Sequence, residues 1–106
     1  MQTLISTAAA VAERVVSPVE LVEAALTGAE RLQPLCNAFT VMMSAEARER
    51  AVQLMDLDPV GPLHGVPIAI KDLYDVAGYR TTGCCAAYLD REIATEDSAV
   101  AISRSR

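Results

Sequence analysis

One lysine stands where an amine could act as a base. Lys71 closes the apolar run Gly65-Val66-Pro67-Ile68-Ala69-Ile70 and is followed directly by Asp72. A free lysine titrates near ~10.4, so only about one molecule in a few thousand is neutral at pH 7. Full burial lowers that value by roughly 3–5 units, enough to make a usable general base. The competing reading is structural: the stem packs on apolar neighbours and the head pairs with Asp72 or Asp75. Spacing alone favours the structural reading. His64 is the only histidine and lies in a Pro/Gly loop, where anchoring the loop is favoured over general-base work. Cys84 and Cys85 invite a thiol nucleophile, but no base or positive field is fixed beside them. Buried or loop cysteines are the preferred reading.

The elements that must position these groups follow from the apolar spacing. Leu4, Ala8, Val11 and Val15 predict a helix over residues 3–16. Ser17-Pro18-Val19-Glu20 is a start signal with a capping serine, proline at the first helical position and the glutamate of a capping box. Val19, Val22, Leu26, Ala29 and Leu32 form the inward face of the helix that follows, with Pro34 just past its end. Ala38-Phe39-Thr40-Val41-Met42 is the first strand candidate. Ser44 is the expected cap of a helix over residues 45–55, with Ala47, Ala51 and Leu54 inward. Residues 56–63 form a loop. The Lys71 run reads as a buried strand ending near Val76, and Gly65 and Gly78 are expected at backbone turns. Helical patterning resumes from Asp97 through Val100 and Ile102.

Composition narrows the class. Of 106 residues, 52% are hydrophobic and only 4% aromatic, so the chain must build its core from aliphatic side chains. The formal net charge of -5 argues against direct nucleic-acid binding, which needs a cationic face. The Arg104 and Arg106 pair is too short for a basic tail. Three cysteines without metal-ligand spacing suggest neither a disulfide framework nor a metal site, and point to a reducing cytoplasm. The apolar stretch from Leu4 to Ala12 is too short for a membrane span.

The string Gly61-Pro62-Leu63-His64-Gly65-Val66-Pro67-Ile68-Ala69-Ile70-Lys71-Asp72 resembles the amidase signature family. Asp75-Val76-Ala77-Gly78 and Thr81-Thr82-Gly83 continue the resemblance in order and spacing. Ser17 to Val22, Asn37-Ala38-Phe39 and Ala94-Thr95-Glu96-Asp97 also look like family segments. The resemblance implies an α/β fold: helices packed on a few strands of an incomplete mixed sheet, residues 1–106 being the N-terminal part of a single amidase domain. It implies that Lys71 is the base of a Ser–cisSer–Lys triad cleaving a small-molecule amide, with no cofactor. Both family serines belong to a Gly/Ser-rich stretch that these residues do not contain, so the segment is expected to be inactive alone. A general amidase and the subunit that transfers an amide on mischarged tRNA are both compatible. The alternative is a non-catalytic truncated product or interaction module that self-associates through exposed apolar strands around Phe39 and Ile68. A lysine Schiff-base enzyme is a third, less supported idea.

Overall fold

The computed structural model describes residues 2–105, with the side chains of 103–105 outside the description. The expectations for Arg104 and Arg106 fall outside what is described. The chain divides into two compact units, Met1–Pro67 and Ile68–Arg106.

The first unit is helical. Helix α1, Leu4–Ala12, is capped by Thr3, whose hydroxyl accepts from the Ser6 amide while the Ser6 hydroxyl accepts from the Thr3 amide. It ends four residues earlier than the apolar spacing predicts. Arg14 takes a left-handed φ of 58°, which turns the chain and leaves Val15 exposed. Helix α2, Pro18–Cys36, starts as the sequence indicates: Ser17 Oγ accepts from the Glu20 amide at 3.1 Å, and Glu20 accepts from the Ser17 amide at 2.8 Å. Those bonds to Ser17, backbone first, hold the Glu20 carboxyl below its ordinary value. Pro34 lies inside the last turn rather than past it. The helix closes at Asn37, whose left-handed φ of 46° lets its amide donate to the Gln33 carbonyl. Leu32, expected inward, is exposed.

Helix α3, Ser44–Met55, packs against α2. Ser44 is the first helical residue and not the cap; Met43 takes the cap position without a side-chain hydrogen bond. Ala51, at 2% exposure, is the most deeply buried residue of the unit, with Val11 and Val22 also buried. Arg48 grips Glu23 across the two helices through Nε at 2.6 Å and Nη2 at 3.2 Å. Both side chains are about half exposed, so the pair aligns the helices more than it stabilises them. Gly65 is required where it stands: φ is +74°, and a Cβ there would lie 2.6 Å from Pro18 Cγ.

Among its described residues the second unit has little regular structure: the 3₁₀ turn Ala86–Tyr88 and helix α4, Ala99–Ser105. Ala101 is buried in it, whereas Val100 and Ile102 are exposed. The Gly78 amide donates to the Ala94 carbonyl at 2.8 Å, and the Ala94 amide returns a bond to the Tyr79 carbonyl at 3.0 Å.

The expected mixed sheet does not form: among the described residues there is no strand at all. Two local causes are visible. Phe39 lies outside any helix, but its amide donates to Gln33 Oε1 at 3.0 Å and its carbonyl accepts from Gln33 Nε2 at 2.7 Å. A side-chain amide thus takes both groups that a neighbouring strand would use. In the 66–70 run, Pro67 has no amide to donate, and no ladder forms. Apolar density marks a segment that wants cover; it does not supply the partner that makes it a strand.

Candidate functional site

Lys71 follows the 66–70 run, which joins no strand, and immediately precedes a tight turn. Its carbonyl accepts from the Leu73 amide at 2.7 Å and the Tyr74 amide at 3.2 Å. The side chain is exposed, and so are Ile68 and Ala69 before it. The burial expected of a strand-end lysine is therefore not provided within this unit. Nor does the structural alternative hold: among the described residues no carboxylate comes within 4.0 Å of the ammonium.

Both carboxylates expected to pair with Lys71 are engaged elsewhere. Asp72 accepts from the Thr82 amide at 3.1 Å through one oxygen and from the Thr82 hydroxyl at 2.6 Å through the other. The Thr82 hydroxyl holds the Asp72 carboxyl below its ordinary value; desolvation opposes this, and the Thr82 and Cys84 amides add to it. Asp75 accepts from the Thr81 hydroxyl at 2.6 Å, and Thr81 is buried. The Thr82 hydroxyl in turn accepts from the Cys84 amide at 3.2 Å. Farther on, Asp97 accepts from the Ala77 amide at 2.8 Å, and the Asp75 carbonyl accepts from the Ser98 amide at 2.9 Å. The turn after Lys71 is thus tied to residues 81–84 by two acid–threonine pairs. Sequence reasoning treated Thr81 and Thr82 only as part of a resemblance. The available signal was two hydroxyl donors downstream of two acids in a Gly-punctuated loop.

His64 belongs to the other unit and is 8% exposed. Its Nε2 lies 3.1 Å from the Leu54 carbonyl, which can only accept, so Nε2 carries the proton and the ring ties the loop to the end of α3. Its Nδ1 is buried without a hydrogen-bond partner. The ring borders a cavity of about 230 Å³ lined by Val11, Val16, Pro18, Leu54 and Met55 among others. Such geometry anchors a loop. All three cysteines are free and exposed, not buried. Among the described residues no group of three or more acids, histidines or cysteines could hold a metal, and no helix is long and apolar enough to cross a membrane.

The family model described as Amidase matches residues 20–103, a span that includes nearly all of α2, the His64 loop, Lys71 and both acid–threonine pairs. The chain belongs to the amidase signature family. An amidase of Pseudomonas putida is 39% identical over 90 residues, covering 81% of this chain and 19% of its own length. A glutamyl-tRNA(Gln) amidotransferase subunit of Methylococcus capsulatus is 38% identical over 102 residues, covering 93% and 21%. An acylamidase of Rhodococcus erythropolis is 38% identical over 79 residues, covering 71% and 17%. The chain thus spans about a fifth of the length of these curated relatives. No solved structure matches it.

Proposed function

We propose that these residues are the base-bearing N-terminal part of a single amidase domain that hydrolyses carboxylic amide C–N bonds. The observation that carries the reading is the Gly61–Asp72 string with Lys71 near its end, placed inside the matched span. Lys71 would act as a neutral amine. Its nitrogen takes a proton from a bridging serine, which takes one from a second serine as that oxygen attacks the amide carbonyl carbon. Collapse of the tetrahedral adduct breaks the C–N bond as the proton passes to the leaving nitrogen, and water then releases the acid. These 106 residues contain no Gly/Ser-rich stretch of the kind that holds the two serines, so the segment alone should turn over no amide. The second unit leaves Lys71 exposed, so a water-poor setting for the amine would have to come from outside that unit.

The relatives' names extend the substrate from simple amides and acylamides to amide transfer on glutamyl-tRNA(Gln), and a small-molecule amide is the shared chemistry. We place the protein in the reducing cytoplasm, in keeping with three free thiols. A chimera tests the reading: these residues replace the matching part of the Pseudomonas putida amidase. The chimera should hydrolyse a simple amide, and Lys71→Ala should lower kcat by about 10²–10⁴-fold, the usual size of general acid–base catalysis. An active chimera indifferent to Lys71→Ala would sink the assignment. A second reading, a non-catalytic module that self-associates, is supported by large exposed apolar side chains, including Ile5 at 82% and Leu35 at 83%.

A further inference from the structure

We propose that Thr82 is a positioning residue for Lys71: it holds the Asp72 carboxylate and so keeps that acid from pairing with the neighbouring ammonium. The inference rests on the reading of Lys71 as a base. A base must give up its proton, and a carboxylate in contact with an ammonium favours the charged form and opposes that release. Asp72 is adjacent in sequence and within reach of a flexible lysine stem. Yet it contacts Thr82 through both oxygens, at 3.1 Å to the amide and 2.6 Å to the hydroxyl. Asp75, the next acid along, is held by the Thr81 hydroxyl at 2.6 Å.

The clamp is built into the backbone as well as the side chains. The turn at 71–74 closes on the Lys71 carbonyl, and Thr82 presents its amide and hydroxyl together to one carboxylate. Gly83 follows at φ +59°, where a Cβ would lie 3.5 Å from Leu73 Cδ2 and 3.8 Å from the Asp72 carbonyl oxygen. The 82–84 turn therefore lies directly against the residues that follow Lys71. Thr82 can be exchanged for isosteric valine, which keeps the amide and removes only the hydroxyl.

Lys71 is the only lysine in the chain, so its amine can be followed individually. The measurement is the rate at which an N-hydroxysuccinimide ester acylates Lys71 at one fixed pH, read by peptide mass spectrometry on the 106-residue chain. Thr82→Val should slow acylation about two- to fivefold, the size of an exposed ion pair. Thr82→Ser should keep the original rate, and Asp72→Asn added to Thr82→Val should restore it. If circular dichroism shows that the valine variant fails to fold, its rate carries no weight. Asp72→Asn alone decides the matter in that event: an unchanged rate supports the clamp, whereas faster acylation means Asp72 already engages the ammonium and overturns it. Equal rates in Thr82→Val and the parent chain, or slowing that persists in the double variant, also overturn it. None of these rates depends on turnover, so a failed clamp and a failed catalytic assignment give separate results.

Discussion

Asp72 shows how one residue's partners can reverse its expected role. Its position beside Lys71 suggested an ion pair, and its oxygens instead accept from Thr82. Those bonds hold its folded-state pKa below the unfolded value, so the unfolded chain binds the proton more readily. The resulting stabilisation is fully present above the ordinary carboxylate value near ~4 and is lost as pH falls through the lowered one. Denaturation followed between neutral pH and strong acid should therefore show a loss of stability that Asp72→Asn reduces, the remainder coming from other lowered acids such as Glu20. A variant that retains the full acid dependence would contradict the assignment. Lys71 became the candidate base from sequence because its neighbours form a long specific string. Its exposure was not legible there, since apolar neighbours in sequence need not cover a side chain in space.

Helices were the readable elements. The Ser17-Pro18-Val19-Glu20 start is local chemistry, with every partner within three residues, and it forms as its spacing dictates. The strand candidates failed because a strand is defined by a distant partner. At Phe39 that partner is replaced by the Gln33 side chain, six residues away, which occupies both backbone groups. Gln33→Ala should release them, at about 1 kcal/mol for each hydrogen bond lost. Hydrogen exchange at the Phe39 amide should then quicken while the Ala51 amide in α3 stays protected. Unchanged Phe39 exchange would mean that the Gln33 contact does not hold the segment.

At the scale of the whole molecule, few side chains are well buried: Val11, Val22 and Ala51 in one unit and Ala101 in the other form the apolar core among the described residues. Large apolar side chains such as Ile5, Val15, Leu35 and Leu73 face solvent. A surface of this kind should drive association, so the 106-residue chain is expected to sediment with a mass that rises with concentration. A constant monomer mass would count against the self-associating reading. Sequence alone determined the family, the catalytic candidate and the capped start of α2, because each is written in contiguous residues or in side chains one turn apart. Tertiary structure decided that the apolar runs would not pair as a sheet, that Lys71 would be exposed, and that Asp72 and Asp75 would turn to threonines. Those outcomes depend on which groups meet across loops, and residues 6 to 10 positions apart in irregular chain carry no period that reveals their meeting.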